Sequence, residues 1–534
     1  MTQPVTERLA LRVQLVRFVA VGVLSACVDF GILWLLMHFG LGHTPAKAIS
    51  FVAGTTTAYL INRRWTFGAT GSAKSFVGVL VLYGSTFVVQ VGLFSLLYPW
   101  LFSRWGYTVA QVVAFVIAQG VATTVNFIVQ RTLIFRHCRG APIGSPPVGT
   151  PVVGIIGGGQ LARMMHAAGI GLGIRVALLA EGPDVSAAQV VHDVTVGDYT
   201  DPATVFAFAE RCDVVTFDHE HVPPALLTDL QSRGVLVRPG PEALVHAQDK
   251  VVMRTRLAAH GIPVPTFEVV ATPEALVAFA DRARSAKGAS TGWPVIAKTS
   301  RGGYDGKGVW KIDDPSTAEE PFTNLAPGVQ ILAEEYIPFT RELSALVARS
   351  SSGQAVAYPV SESVQADGIC VETTTPAPGL TEEQATACQR MALEIARDLE
   401  VTGILAVELM QRADGTVVVN ELAMRPHNTG HWSIDGAVTS QFENHLRAVL
   451  DLPLGDPAAR APWTVMRNVL GGTRTDLVEG LRHVLARDPG LKVQLYGKDV
   501  VPGRKVGHVT SVGEDLDEVR RRARHGASEL RSES

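Results

Sequence analysis

Residues 404–423 have the sequence ILAVELMQRADGTVVVNELA, which predicts two β-strands joined by a tight turn. Apolar residues dominate both flanks, and Asp414-Gly415 between them is the dipeptide most typical of a two-residue hairpin turn. With that turn, the strand register places Glu408 directly opposite Glu421. Like charges at directly opposed positions, with Cβ atoms about 5 Å apart, destabilise a sheet unless a cation lies between them.

This pair of glutamates predicts a divalent-cation site. Mg²⁺ takes hard oxygen ligands and is commonly held by one or two carboxylates together with substrate phosphates. We therefore expect Glu408 and Glu421 to bind Mg²⁺, or Mn²⁺ in its place, beside a nucleotide. The alternative is a slipped strand register in which one of the two glutamates faces solvent.

A glycine-rich segment upstream of the hairpin has the composition of a phosphate-binding loop. Residues 302–308 have the sequence GGYDGKG and follow a strand pattern that ends at Lys298. Glycine lets backbone amides approach a phosphate closely, and Lys298 and Lys307 add positive charge. The Gly-Lys-Ser/Thr ending of a P-loop is missing, and an ordinary hairpin turn is the alternative.

An acidic segment follows a further strand pattern. Residues 330–337 have the sequence QILAEEYI, and Glu342 comes shortly after them. The carboxylates of Glu334, Glu335 and Glu342 are suited to accept hydrogen bonds from an adenine amine and from ribose hydroxyls. The alternative is a solvated edge of a sheet.

Basic residues stand in two places that suit anions. Arg425 and His427 come directly after the hairpin, where they are placed to hold an anion beside a terminal phosphate. Lys498 and Arg504 belong to a basic turn between short strands, which suits a phosphate monoester. An ordinary charged loop is the alternative in each case.

Residues 151–165 predict the strand, glycine turn and helix that open a Rossmann-like unit. The glycine pattern is not the full dinucleotide fingerprint, and Glu181 is the candidate for the acid expected about 20 residues further on. A later strand runs into residues 218–221, DHEH. Strand alternation would put the two acids on one face and the two histidines on the other, which argues against zinc.

The whole chain has a mean hydropathy of +0.20 and too many apolar residues for a disordered protein, and residues 1–140 differ in composition from the rest. They hold 11 basic and two acidic residues, against 36 and 48 in the remainder. Four apolar stretches predict transmembrane helices: 16–41, 45–61, 76–97 and 109–130. The basic residues flank them so that the N-terminus, the middle loop and everything after residue 140 are expected in the cytoplasm.

The predicted organisation is therefore multidomain, with an N-terminal all-α bundle of four transmembrane helices followed by an α/β and α+β enzyme. A Pro/Gly-rich linker separates the two parts. The boundaries that we predict are 1–137 for the membrane domain, 138–151 for the linker, 152–248 for the Rossmann-like subdomain, 249–455 for the nucleotide-binding domain, 456–525 for a β-rich C-terminal subdomain and 526–534 for a tail.

About residues 151–525 resemble the ATP-grasp superfamily and, within it, the 5-(carboxyamino)imidazole ribonucleotide synthase family of purine biosynthesis. The most specific motifs are NELAMRPHNTGHW at 420–432, TSQFE at 439–443, and Tyr496-Gly-Lys followed by PGRKVGH at 502–508. Met424 stands where that family usually has proline.

The resemblance implies an ATP-grasp ligase that uses ATP and Mg²⁺ to carboxylate aminoimidazole ribonucleotide with bicarbonate, without biotin. It implies an ATP site at Lys250, Lys298, Gly303, Tyr304, Asp305, Gly306, Lys307, Gly308, Val309, Glu334, Glu335, Tyr336, Ile337, Glu342, Asn420 and Glu421. It implies a bicarbonate and ribonucleotide site at Tyr304, Asp305, Arg425, His427, Lys498, Arg504 and Glu220. We also expect a homodimer formed by the soluble part and no nucleic-acid partner.

About residues 12–137 resemble the GtrA-like family of four-span proteins, which is associated with polyprenyl-linked sugars. The resemblance rests on VRFVAVG at 16–22, Asp29 within the first span and NRRWTF at 62–67. It implies a multi-pass protein of the cell membrane with a cytoplasmic catalytic domain. Two alternatives remain: a lipid-sugar translocator with an inactive nucleotide-binding domain, and another ATP-grasp enzyme such as a formate-using purine enzyme or a biotin carboxylase.

Overall fold

The computed structural model describes residues 149–287, 292–303 and 307–532, together with scattered positions between 17 and 129. The chain forms two compact units, Met1–Val148 and Gly149–Ser534. Within the described positions, no helix combines the length and the apolar character needed to cross a membrane. The four predicted spans are covered only at scattered positions, and Asp29 lies outside the described residues.

The second unit alternates strands and helices in its first part and is rich in strands afterwards. Its helices are α1 (Gln160–Gly171), α2 (Pro202–Ala209), α3 (Pro224–Ser232), α4 (Pro241–Gln248), α5 (Lys250–Ala259), α6 (Pro273–Lys287), α7 (Glu382–Asp398), α8 (Ser433–Gly436), α9 (Gln441–Val449), α10 (Leu477–Arg487) and α11 (Leu516–Arg531). Its strands up to residue 335 are β1 (Val152–Ile156), β2 (Arg175–Ala180), β3 (Asp193–Val196), β4 (Val214–Phe217), β5 (Phe267–Val270), β6 (Val295–Thr299), β7 (Val309–Ile312) and β8 (Ile331–Glu335). The later strands are β9 (Phe339–Arg349), β10 (Ala355–Ala357), β11 (Ser361–Ala366), β12 (Ile369–Thr375), β13 (Gly403–Arg412), β14 (Val417–Ala423), β15 (Trp463–Leu470), β16 (Lys492–Leu495) and β17 (Lys505–Gly513).

The first sheet is parallel, with strand order β3-β2-β1-β4. Strand β1, a glycine turn and α1 follow one another as predicted. The turn requires glycine at two positions. Gly157 has a φ of +104°, and a Cβ atom on Gly159 would lie 2.1 Å from a carboxylate oxygen of Asp218.

The second sheet is antiparallel, with strand order β5-β8-β6-β7. Its core consists of apolar residues of β6 and β8 packed against Leu276 and Phe279 of α6. The glycine-rich segment connects β6 to β7, and Lys298 pairs with Val309 beside it. This hairpin therefore holds the predicted phosphate loop and the predicted phosphate lysine at one end of the same sheet.

The third sheet has nine strands in the order β14-β13-β9-β11-β12-β15-β17-β16, with β10 paired to β9. Strands β13 and β14 form the predicted hairpin, but the predicted two-residue turn is wrong. Arg412 N donates to Thr416 O, so Ala413, Asp414 and Gly415 make a three-residue turn in which Gly415 has a φ of +84°. A three-residue turn that ends in a left-handed glycine is a common hairpin connection.

A β-bulge restores the predicted pairing further along the hairpin. Leu409 is opposite Val419, and after a shift of one residue Glu408 is opposite Glu421. The bulge leaves Asn420 as the extra residue of β14. Without it, Glu408 would face Asn420, and the two carboxylates would not be directly opposed.

Candidate active site

One cavity of about 700 Å³ brings together predicted residues from distant parts of the second unit. The lining comes from the end of β4, the start of α5, the glycine-rich segment, the β13–β14 hairpin and the basic turn near the C-terminus. The predicted site residues that it gathers are Glu220, Lys250, Gly303, Glu408, Glu421, Arg425, His427, Lys498 and Arg504. A larger groove of about 1080 Å³ lies elsewhere and contains none of the predicted site residues, so the smaller cavity is the candidate active site.

The two opposed glutamates lie in this cavity. Lys250 Nζ is 2.9 Å from Glu421 Oε1, and His427 Nε2 is 3.3 Å from Glu408 Oε1. Burial raises the pKa of Glu408, and the neighbouring charges of Glu421 and Glu342 raise it further. Glu421 therefore has a cation of its own, whereas the Glu408 carboxylate needs additional positive charge.

The chemistry of the pair fits Mg²⁺ or Mn²⁺. In the described part of the chain, no cluster of three or more His, Cys, Asp or Glu side chains is arranged to hold a metal. Two carboxylates completed by phosphate oxygens are the usual setting of Mg²⁺ in nucleotide sites. Glu408 and Glu421 would hold the ion, and phosphate oxygens of the bound nucleotide would complete its coordination.

A buried ion-pair network holds the predicted phosphate lysine. Lys298 Nζ lies 2.8 Å from Glu334 Oε2 and donates to Asn420 Oδ1 at 3.0 Å. Arg254 Nε lies 2.6 Å from Glu334 Oε1, and Arg254 Nη2 donates to the carbonyl of Asn420. Burial alone would raise the pKa of Glu334. The positive charges of Lys298 and Arg254 outweigh this effect and lower the pKa of Glu334 to about 2.

The network corrects one expectation. Both carboxylate oxygens of Glu334 contact cations, and only 2% of its side chain is exposed. The Glu334 side chain therefore positions Lys298, and it is not presented to an adenine amine or a ribose hydroxyl. The bulged residue Asn420 extends the network into the metal-binding hairpin.

The other residues predicted around the nucleotide base lie at the end of β8 and on β9. Glu335 accepts from Thr266 N and from Arg412, each at 3.3 Å. Ile337 is buried against Met410 and Val418. The ring of Tyr336 lies 5.5 Å from Lys311 Nζ, and burial raises the pKa of the Glu342 carboxyl group. Their contacts with ATP stay predictions.

The glycine-rich loop has steric reasons for its glycines. A Cβ atom on Gly303 would lie 2.6 Å from the carbonyl of Lys307, and one on Gly308 would lie 2.5 Å from Thr299 Oγ1. Gly308 also has a φ of +69°. Tyr304, Asp305 and Gly306 lie outside the described residues, so their predicted roles stay predictions.

The anion end of the cavity is built around Arg425. Glu220 Oε1 accepts from Met424 N at 2.6 Å, and Glu220 Oε2 lies 3.6 Å from Arg425 Nε. The ring of His427 is held by Thr429 Oγ1 at 2.8 Å. Burial lowers the pKa of His427 to about 3, with help from Arg425 and Lys505, so its imidazole is neutral at pH 7.

The part of the cavity that is lined by the basic turn near the C-terminus is cationic. Lys498 donates to Gln160 Oε1, and Arg504 and Lys505 line the same wall. Burial lowers the pKa of Lys498, and the charges of Arg504 and Lys505 act in the same direction. An anionic group such as a phosphate monoester suits this end because it would balance these charges.

The glycine turn of the Rossmann-like unit is closed to a dinucleotide by the chain's own carboxylates. Asp218 accepts from Gly159 N at 2.9 Å and from Ala162 N at 2.7 Å, and Glu181 accepts from Gly158 N at 3.0 Å. These amides are the ones that would hold a pyrophosphate at the start of such a helix. Glu181 is thus a cap of the turn.

Residues 218–221 do not continue the strand as predicted, because β4 ends at Phe217 and the segment bends. The two histidine rings nevertheless stack on each other, and both acids interact with Arg425, in agreement with the predicted grouping of the side chains. All four residues of the segment line the cavity. Four residues of the site were not predicted from the sequence: Gln160, Asp218, Arg254 and Lys505. For Lys505 a signal existed, since it lies beside Arg504 in the basic turn.

Four family models match the chain. They are the ribonucleotide synthetase preATP-grasp domain at residues 151–248, the ATP-grasp domain at 255–442, the phosphoribosylaminoimidazole carboxylase C-terminal domain at 464–522, and the GtrA/DPMS transmembrane domain at 17–135. The fold and the site thus define an ATP-grasp enzyme, joined at its N-terminus to a segment similar to a membrane domain.

Similar proteins of known function identify the family within the ATP-grasp enzymes. The N5-carboxyaminoimidazole ribonucleotide synthase of Mycobacterium tuberculosis is 51% identical over 377 residues, which cover 70% of this chain and 86% of that protein. The synthase of Corynebacterium ammoniagenes is 46% identical over 401 residues, covering 73% and 95%. The chain belongs to the N5-carboxyaminoimidazole ribonucleotide synthase family.

Solved structures agree with this assignment. The N5-carboxyaminoimidazole ribonucleotide synthetase of Thermus thermophilus is similar with a TM-score of 0.63 and 36% identity, covering 72% of this chain and 99% of that one. The Aspergillus clavatus synthase in complex with ADP and 5-aminoimidazole ribonucleotide has a TM-score of 0.64 and 27% identity, covering 71% and 98%.

Proposed function

We propose that the chain carboxylates 5-aminoimidazole ribonucleotide with bicarbonate and ATP, forming 5-(carboxyamino)imidazole ribonucleotide, ADP and phosphate. The observation that carries the proposal is the single cavity that joins the Glu408–Glu421 pair, Arg425 and the Lys498–Arg504 turn. It offers a metal-binding site, an anion site and a phosphate site within one chamber. The named relatives have the same activity in their names.

The proposed chemistry follows from the poor reactivity of bicarbonate. A bicarbonate oxygen attacks the γ-phosphorus of ATP, ADP leaves, and carboxyphosphate forms. The substrate amine then attacks the carboxyl carbon, the bond from that carbon to the phosphate oxygen breaks, and the released phosphate takes the amine proton. Mg²⁺ bound by Glu408 and Glu421 would neutralise charge on the transferred phosphoryl group.

The chain's own side chains have separable tasks in this scheme. Lys298 and the glycine-rich loop hold the phosphates of ATP, and Glu334 keeps Lys298 in place. Arg425 and neutral His427 hold bicarbonate. Lys498 and Arg504 hold the ribonucleotide phosphate in the same cavity.

The test is ADP release by the purified full chain in detergent with ATP, Mg²⁺, bicarbonate and the ribonucleotide, each left out in turn. We expect ADP release to fall when any one component is missing, because phosphoryl transfer and carboxylation share one chamber. Slow ATP hydrolysis that does not respond to the ribonucleotide would contradict the substrate assignment and favour a translocator with a nucleotide-binding domain. The intact arrangement of Glu408, Glu421 and Lys298 favours a working enzyme.

We further propose that residues 1–137 form a four-helix bundle in the cell membrane, with the enzyme on the cytoplasmic side. The support is the charge pattern together with the match to the GtrA/DPMS transmembrane domain at 17–135. The linker of Pro and Gly residues makes simple tethering the simplest role for this segment. The homodimer stays a prediction.

The tethering proposal predicts that a fragment of residues 151–534 keeps the kcat and the KM values of the full chain within about threefold, because all of the cavity-lining residues belong to that fragment. Steady-state kinetics of the two proteins check this. A folded fragment that has lost activity would show that the membrane segment takes part in catalysis.

A further inference from the structure

Three rings form a row that leads to the active-site cavity. The centroids of Tyr199 and His219 are 4.5 Å apart, and those of His219 and His221 are 5.3 Å apart with an angle of 24° between the planes. His219 and His221 line the cavity, and His221 is an exposed residue. The row therefore ends in a ring that a ligand in the cavity can reach.

Hydrogen bonds fix the backbone on both sides of the terminal ring. His221 N donates to His219 Nδ1 at 3.2 Å. The amide of Gln248 donates at 2.9 Å to the carbonyls of Glu220 and Val222, the residues directly before and after His221. His219 in turn lies 3.3 Å from Glu181. With its backbone fixed and its ring packed on His219, the His221 side chain loses little conformational entropy when a ligand packs against it.

The position of the segment matters as much as its rigidity. Asp218, three residues before His221, interacts electrostatically with Lys498 at the cationic end of the cavity. Glu220, its immediate neighbour, lies 3.6 Å from Arg425 at the anion end. Residues 218–221 therefore adjoin both the group proposed to hold the ribonucleotide phosphate and the group proposed to hold bicarbonate, which places them beside the heterocycle that connects the phosphate to the amine.

The charge of His221 suits stacking against a neutral ring. Burial lowers the pKa of His221, and His219 and Arg425 lower it further, so the imidazole is neutral at pH 7. The ring then offers a flat π surface in a cavity whose predicted site residues are mostly charged. Stacking between a base and an aromatic side chain is insensitive to exact hydrogen-bond patterns.

We infer that His221 is a specificity-determining residue whose ring stacks on the aminoimidazole ring of the ribonucleotide substrate. The inference rests on the proposed function, since it takes its ligand from there. It does not concern the adenine of ATP, because Glu335, Tyr336 and Ile337, the residues predicted around that base, do not line this cavity.

The test compares His221→Ala with His221→Phe in the full chain. Stacking changes affinity by about 5- to 150-fold, so the alanine variant should raise the Kd and the KM of the ribonucleotide by at least about fivefold. The phenylalanine variant keeps a flat ring and should stay within about threefold of the original chain. The KM values of ATP and bicarbonate should not change in either variant. His246→Ala, at a histidine that lines the larger groove and not this cavity, is the matched control.

Calorimetric titration with the ribonucleotide separates the possible failures. If the unmodified chain does not bind the ribonucleotide, the proposed function fails and the inference fails with it. If the unmodified chain binds it and His221→Ala binds equally well, the inference alone is overturned. It is also overturned if His221→Phe binds as poorly as His221→Ala while both unfold at the temperature of the original chain.

Discussion

Replacing Glu408 with glutamine lowers the rate of ADP formation by about 10³-fold or more, because a metal ion at the transferred phosphoryl group stabilises its transition state by several kcal/mol. The Glu421→Gln variant should lose a similar factor, since the two carboxylates are directly opposed on β13 and β14. Steady-state ADP release at saturating ATP measures both. Glu383→Gln, at an exposed site on α7, is the control and should keep full activity.

The same substitution has a different effect on stability. Burial and the charges of Glu421 and Glu342 disfavour ionised Glu408, so removing its charge should relieve repulsion in the absence of divalent ions. We expect the free energy of unfolding of Glu408→Gln without Mg²⁺ to be unchanged or higher by up to about 1 kcal/mol. The variant should also lose the extra stability that Mg²⁺ and ATP give the original chain. Strong destabilisation without loss of activity would show that the pair is structural.

Replacing Glu334 with glutamine destabilises the second unit by about 3–5 kcal/mol, because it leaves Lys298 and Arg254 buried without a counter-charge. ATP binding should also weaken, because Glu334 would no longer hold Lys298 in position. Urea denaturation and ATP titration measure the two effects. The control is Glu268→Gln on β5, which removes an exposed pair with Arg282 and should cost less than about 1 kcal/mol.

The pH dependence of this network has a definite sign. The pKa of Glu334 is lowered to about 2 from an ordinary value of 4.5. A carboxyl with a lowered folded-state pKa stabilises the fold above its unfolded pKa and loses that contribution as the pH falls towards the folded value. The difference in stability between the original chain and Glu334→Gln should therefore shrink between pH 4.5 and pH 2. A difference that stays constant over this range would contradict the ion-pair account.

The central hairpin could be predicted from local sequence, but its turn could not. Apolar flanks and Asp414-Gly415 indicated two strands and the pairing of Glu408 with Glu421, and that pairing is confirmed. The turn has three residues, and the bulge at Asn420 compensates for the difference. The extra residue in the turn and the extra residue in the bulge shift the register in opposite directions, so the predicted pairing is kept. An alternating sequence pattern does not indicate either irregularity.

Most of the site residues that could not be predicted from the sequence depend on partners far away in the chain. Arg254 lies on α5 and reaches Glu334 and Asn420, which are 80 and 166 residues away. Gln160 receives a hydrogen bond from Lys498, 338 residues further along the chain. Neither residue stands in a local motif that would indicate its partner.

Residues 218–221 illustrate a different limit. Their pattern suggested a continuing strand, but β4 ends at Phe217, and the segment bends so that all four residues line the cavity. Asp218 is required there as a cap for the first turn of α1. Tertiary demands of this kind override the local period.

The most direct test of the account follows the oxygen atoms of bicarbonate. The full chain would turn over ATP and the ribonucleotide with ¹⁸O-labelled bicarbonate, and the phosphate released would be analysed by mass spectrometry. If a bicarbonate oxygen attacks the γ-phosphorus, one ¹⁸O atom enters the phosphate at each turnover, because the carbon–oxygen bond breaks in the next step. Phosphate without label, formed while the carboxylated ribonucleotide accumulates, would contradict the proposed route through carboxyphosphate.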